Sequence, residues 1–178
     1  MTPALFVANY IIEYSNKKRY SINNLKLQKL LYFINARSLV ETGNPIFKES
    51  MQKWKYGPVV PEVYHEYKQY GAFEISDSNI VKEKVDLIFG ESEDDFPDIS
   101  IKQYDPAKIN SGDKKMIELT VDRLNEFDAF DLVDITHQHP MWANDKEKIM
   151  LGEKGLSYDN NEIKSYFDDH EESQIWIN

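Results

Sequence analysis

The stretch that most constrains the fold is residues 52–71, which read QKWKYGPVVPEVYHEYKQYG. Alternation at its start predicts a short strand with Trp54 and Tyr56 on one face. Gly57 and Pro58 are predicted to end that strand, because proline has no N–H for a ladder and glycine adopts a positive φ without steric cost. The first half therefore predicts a strand followed by a rigid turn.

The second half of the stretch predicts a helix. Pro61 suits the first helical turn, where a missing N–H costs nothing, and Gly71 suits the position that ends a helix. Between them, apolar and aromatic side chains recur at helical spacing, at Val63, Tyr64, Tyr67 and Tyr70.

The aromatic side chains of this stretch have two interpretations. They could close a hydrophobic core, or they could form a rigid platform for a partner chain, since Tyr and Trp supply contact area at low entropic cost. The side chains expected to contact a partner are Trp54, Tyr56, Tyr64, Tyr67 and Tyr70.

Periodicity elsewhere predicts further helices, over about residues 4–14, 25–42, 114–127, 130–138 and 161–167. Ile46 and Phe47 are predicted to form an edge strand that pairs with the strand before Gly57 as a hairpin. In the second helix, Lys26 and Lys29 should flank a wide apolar stripe. The expected fold class is α+β and mainly α: one compact helical domain, residues 1–178, with a small antiparallel β-hairpin or sheet inserted among the helices.

Composition limits the class of protein. A net charge of -10 argues against a nucleic-acid surface and favours capture of a basic protein, although acidity could also simply keep copies apart. The chain has no cysteine and no apolar run of membrane-spanning length, so we expect a cytoplasmic protein without disulfides or membrane contact.

Two acidic segments are open to alternative interpretations. Residues 91–98 (ESEDDFPD) predict an acidic loop, which could be solvated or could attract a basic partner. Residues 168–178 form an acidic and then apolar tail, which could fold back on the domain, reach a partner or be read by a protease.

The best catalytic candidate is the group Asp134, His137 and His139, because a histidine beside a carboxylate can serve acid–base or metal chemistry. The alternative is structural, with His137 donating to a backbone carbonyl or stacking beside Pro140 and Trp142. We expect no catalytic residue, no cofactor and no metal site, and hence no enzyme.

Three blocks carry a family resemblance. They are LKLQKLLYF at residues 25–33, WKYGPVVPEVY at 54–64 and LVDITHQHPMW at 132–142. In this order they resemble the Panacea domain family, which includes SocA-like antitoxins and phage-associated GepA-type proteins. The motif carries over to fold-defining positions, namely Leu30, Leu31, Tyr32, Phe33, Gly57, Pro58, Pro61, Val63, His137, Pro140 and Trp142. Met141 departs from the pattern, since many relatives place Pro directly before Trp.

The resemblance implies an antitoxin of a type II toxin–antitoxin system, which neutralises a toxin encoded by an adjacent gene through direct binding. Alternatives within the family are an adaptor that delivers its toxin to a ClpXP-type protease, and a phage or prophage protein that interacts with the host. The charge adds that the toxin should be basic. A homodimer is compatible with the sequence.

Overall fold

The structure is a computed structural model that describes residues 1–88 and 97–177, and it confirms a mainly helical fold with small antiparallel sheets. The helices are α1 (Ala4–Lys18), α2 (Asn24–Thr42), α3 (Pro61–Tyr67), α4 (Ser111–Leu124), α5 (Ala129–Gln138), α6 (Pro140–Ala143), α7 (Lys146–Met150) and α8 (Asn160–Asp169). The strands form two hairpins, β1 (Gln52–Trp54) with β2 (Gly57–Val59), and β3 (Glu83–Ile88) with β4 (Asp98–Gln103).

Helix α2 lies at the centre of the molecule. It contacts α1, α4, α5, α8 and the β1–β2 hairpin, so it is buried on nearly every side rather than along one stripe. Asn23 caps its start by accepting a hydrogen bond from the Lys26 N–H. The helix ends at Thr42, where the predicted range also ends, and Gly43 follows it with a positive φ. The expectation that Lys29 flanks the apolar stripe is wrong, because Lys29 is fully buried.

The first hairpin lies between α2 and α3, as expected, but its predicted pairing is wrong. Strand β1 pairs with β2, with Lys53 opposite Pro58, whereas Ile46 and Phe47 are buried in irregular backbone. Gly57 and Pro58 belong to the second strand instead of ending the first. Proline is tolerated there because a two-stranded sheet leaves one side of each strand without a ladder partner.

The C-terminal segment folds back on the domain. Trp176 is buried, and its ring lies 4.9 Å from the ring of Phe167 between centroids. The Gln174 side-chain amide donates to the Phe167 carbonyl at 2.7 Å. Of the interpretations of the tail, the structure of residues 174–177 supports the one in which the tail folds back on the domain.

Two other expectations concern the acidic loop and the absence of a membrane-spanning helix. Most of the acidic loop at residues 91–98 lies outside the described residues, and Asp98 begins β4. None of the helices in the described ranges combines the length and apolar character that a membrane span requires.

Candidate functional site

A groove of about 360 Å³ opens beside the β1–β2 hairpin. Its walls come from the start of α2, from the hairpin, from α3 and its C-terminal turn, and from the start of α5. The side chains that decide its character are Trp54, Tyr56, Tyr64 and Phe130, with Leu25, Val59 and Ala72 between them.

The aromatic rings of the groove pack against one another edge to face. The ring centroids of Trp54 and Tyr64 are 4.8 Å apart, and those of Tyr56 and Phe130 are 6.4 Å apart. Tyr56 and Phe130 are 50% and 62% exposed, whereas Trp54 and Tyr64 are half-buried. Rings held in this way present apolar area with few rotamers left to fix, which is typical of interface anchors.

The charged side chains that line the groove are both basic. They are Lys55 and Lys68, and the Lys55 ammonium lies 5.6 Å from the centroid of the Tyr56 ring. The net charge of the whole chain favours a basic partner instead. The groove therefore differs in sign from the molecule as a whole, and the part of a partner that enters it should be neutral or acidic.

Buried amides of α2 hold the wall of the groove in place. The Gln28 side-chain oxygen accepts from the Val60 N–H at 2.9 Å, and its nitrogen donates to Asn24 at 3.1 Å. Asn24 in turn donates to the Tyr64 carbonyl at 3.1 Å. Since each of these bonds is buried or partly buried, the groove wall is fixed before any partner binds.

Below the hairpin, the Lys29 ammonium is buried and donates to the Pro58 carbonyl at 2.9 Å. Burial lowers the pKa of Lys29 to about 7, because the charged form loses its hydration. This hydrogen bond, from a side chain of α2 to the backbone of β2, fixes the distance between the two elements.

Gly57 is required where the hairpin meets the core. Its φ is +90°, and a Cβ at this position would lie 2.6 Å from the Thr136 hydroxyl and 3.2 Å from the Lys29 ammonium. Any other residue would combine a left-handed backbone with a steric overlap. The predicted positive φ of Gly57 is confirmed.

Trp142 of α6 holds strand β1 of the hairpin in place. Its indole N–H donates to the Trp54 carbonyl at 2.9 Å, and its ring stacks on His137 with centroids 3.6 Å apart. Burial lowers the pKa of His137, and the Lys29 ammonium lowers it further. The stacking alternative for His137 is therefore confirmed. The inserted Met141 is buried and leaves Trp142 in contact with the hairpin.

Only some of the aromatic residues that were expected to contact a partner lie in the groove. Trp54, Tyr56 and Tyr64 line the groove, whereas Tyr70 does not. The expected exposure of Tyr67 is wrong: it is fully buried and donates to the Asn9 side chain at 2.6 Å. Helical spacing placed it on the same helix as Tyr64 but could not show which face packs on α1.

Phe130 lines the groove, although its sequence pattern predicts only that it lies in a helix. A usable signal was present, because an aromatic residue in the first turn of an amphipathic helix, two positions after the capping Asp128, lies at the edge of the apolar face. Its pairing with Tyr56 is a long-range contact that periodicity cannot predict.

The candidate acid–base group is not assembled. Asp134 is exposed and His137 stacks on Trp142, whereas His139 is buried and shares a hydrogen bond of 2.9 Å with the Tyr32 hydroxyl. Burial lowers the pKa of His139 to about 4. Within residues 1–88 and 97–177, no group of three or more His, Asp or Glu side chains is placed to hold a metal ion.

Known proteins resemble this chain in sequence. The sequence model described as "Antitoxin SocA-like, Panacea domain" matches residues 27–143, a range that contains the hairpin and most of the groove. The chain is similar to Antitoxin SocA of Caulobacter vibrioides, with 42% identity over 65 residues that cover 36% of this chain and 35% of the relative. The match thus spans about a third of the length of that curated relative. No solved structure matches the chain.

Proposed function

The chain belongs to the SocA-like antitoxin family of Panacea domains, and from this premise we propose that it is an antitoxin that neutralises a toxic protein by binding it directly. The observation that carries the proposal is the rigid aromatic groove, in which partly exposed rings stand on buried side chains that hydrogen-bond to the backbone of the hairpin and of α3. A surface of this kind suits binding of a polypeptide.

The proposed mechanism is occlusion. Partner side chains fill the groove between Trp54, Tyr64 and Phe130, and the surrounding surface covers the toxin where it acts. Trp54 and Tyr64 serve as the central anchors, because they are half-buried and least able to move. The mechanism assigns no bond chemistry to the protein, and the arrangement is that of a type II system, in which both partners are proteins.

The charge of the groove refines the expected partner. The molecule as a whole carries a net charge of -10, which accelerates encounter with a basic toxin. The two lysines of the groove select a neutral or acidic segment of that toxin for insertion. Encounter and final docking thus use charges of opposite sign on different parts of the surface.

A growth assay tests the proposal. The protein encoded by the neighbouring gene is expressed alone and together with this chain, and growth should stop in the first case and recover in the second. Recovery should be lost with Trp54→Ala and retained with Leu151→Ala, a control outside the groove whose side chain is 88% exposed.

The host strain separates occlusion from delivery to a protease. In a strain that lacks ClpXP-type proteases, occlusion predicts that growth still recovers. Recovery that requires the protease would contradict occlusion. A neighbouring gene product that is harmless, and that never co-purifies with this chain, would contradict the antitoxin role itself.

A further inference from the structure

A second groove adjoins the aromatic groove at Trp54. Its volume is about 490 Å³, and both Trp54 and Lys55 line the two grooves. The remaining walls of the second groove come from β1, from His65 of α3, from Ile149 of α7 and from the loop at residues 152–155. The two grooves therefore meet along the β1–β2 hairpin, and Trp54 is a wall of each.

Trp54 is held in place through its side chain and its backbone. The indole N–H donates to the Gln52 side-chain oxygen at 2.9 Å, and the Trp54 carbonyl accepts from the Trp142 indole. The Trp54 ring packs edge to face on the rings of Tyr64 and His65, with centroids 4.8 and 6.2 Å away. Tyr64 lines the first groove and His65 lines the second. A partner that packs on this ring cluster from the first groove thus meets the wall of the second.

The loop at residues 152–155 is joined to β1 by the segment that follows it. The Lys53 N–H donates to the Leu156 carbonyl at 2.7 Å, and the Tyr158 N–H donates to the Met51 carbonyl at 2.9 Å. These bonds occupy the edge of β1 that faces away from β2, so a strand of a partner cannot add to it there. Recognition in the second groove must therefore come from side chains rather than from strand addition.

The charges of the second groove favour an acidic segment. Lys53 lines the groove, but its ammonium is paired with Asp145 at 2.7 Å and offers little charge to a partner. Lys55 and Lys154 form no ion pair in the part of the chain that the structure describes. The acidic side chain of the lining is Glu153. With histidine counted as neutral, two unpaired ammonium groups thus face one carboxylate.

We propose that the second groove belongs to the same partner-binding surface as the first and receives an acidic segment of the toxin. This inference rests on the proposed function. The toxin segment that packs apolar side chains beside Trp54 in the first groove continues past this ring, and its Asp or Glu side chain pairs with Lys55 and Lys154 in the second. Such pairs beside an apolar contact fix the register of the bound segment and discriminate between partners.

Continuity and charge together identify the occupant. A basic segment would meet two ammonium groups of its own sign, and an apolar segment would leave both without a counter-charge, whereas an acidic segment pairs with them. The chain as a whole carries a net charge of -10 and repels acidic segments. An acidic segment of the toxin is therefore directed to these lysines, where its charge finds a complement.

Isothermal titration calorimetry with the purified product of the neighbouring gene tests the inference. Lys154→Glu should weaken binding by about tenfold or more, because an attractive contact becomes a repulsive one. Lys115→Glu, at an exposed lysine of α4, changes the net charge equally and should stay within about twofold of the wild type. Circular dichroism confirms that each variant is folded.

A substitution of opposite sign tests the charge of the occupant. Glu153→Gln should tighten binding by about 2–3-fold, because it removes the carboxylate that repels an acidic segment. Glu172→Gln, at an exposed carboxylate outside both grooves, should leave binding unchanged. Labelling of the wild type with an amine-reactive reagent, followed by mass spectrometry, needs no substitution: the complex should protect Lys154 and leave Lys115 as reactive as in the free chain.

The results separate this inference from the antitoxin proposal. Equal binding by Lys154→Glu and Lys115→Glu, or a Lys154 that stays fully reactive in the complex, would overturn the inference. Weaker binding by Glu153→Gln would also overturn it and would indicate a basic occupant. In each of these cases Trp54→Ala should still weaken binding, so the antitoxin proposal would stand. A wild type that does not bind the neighbouring gene product would overturn both.

Discussion

The buried Lys29 ammonium predicts a specific dependence of stability on pH. Lys29 reaches the Pro58 carbonyl through the core, and burial lowers its pKa from 10.5 to about 7. Between these two values the unfolded chain binds a proton at Lys29 that the native chain does not bind. Stability therefore rises with pH in this window, and the penalty for burying Lys29 is greatest below pH 7.

The magnitude follows from the difference in bound protons. One proton difference changes the free energy of unfolding by about 1.4 kcal/mol per pH unit, so Lys29 should contribute about 2.5 kcal/mol of increase between pH 7.5 and 9.5. Lys29→Met should remove this slope. The substitution also leaves the Pro58 carbonyl without its donor, which should lower the free energy of unfolding by about 1–3 kcal/mol. This cost is the same at every pH, so it does not change the slope of the unfolding free energy against pH.

Urea unfolding followed by tryptophan fluorescence at pH 7.5, 8.5 and 9.5 measures both effects. The difference in unfolding free energy between wild type and Lys29→Met should grow with pH, whereas Lys115→Met, at an exposed lysine of α4, should follow the wild type. Parallel curves for wild type and Lys29→Met would refute the reasoning, since Lys29 would then titrate alike in both states.

Three further predictions concern stability, each measured by urea unfolding. Gly57→Ala should cost at least about 2 kcal/mol, because a Cβ would lie 2.6 Å from a hydroxyl and the φ is +90°. Tyr67→Phe should cost about 1–3 kcal/mol by leaving the buried Asn9 oxygen unpaired, whereas Tyr70→Phe should stay within about 0.5 kcal/mol. Trp142→Phe should cost about 2 kcal/mol, through the lost bond to the hairpin and a small cavity; costs below about 0.5 kcal/mol would contradict these three assignments.

Local signals predicted much of the helical fold. The end of α2 at residue 42 and Pro61 at the start of α3 follow from capping chemistry that acts within a few residues. The first hairpin was predicted in the right place but with the wrong partners. Long-range bonds from Lys29 and Trp142 hold this hairpin on the core, and no local pattern contains these.

The candidate site was predictable in part. An aromatic strand-to-helix stretch identified Trp54, Tyr56 and Tyr64, because such rings are typical of interfaces wherever they are exposed. Which rings are exposed depends on packing, so Tyr67 was assigned to the wrong side and Phe130 was missed.

The affinity of the neighbouring gene product for this chain tests the central claim most directly. By isothermal titration calorimetry, the wild type should bind, and Trp54→Ala should weaken binding by about 30-fold or more, as removal of a central aromatic anchor does. Leu151→Ala should bind as the wild type does. Equal affinity of wild type and Trp54→Ala would contradict the groove as the binding site, and absence of binding by the wild type would contradict the antitoxin proposal.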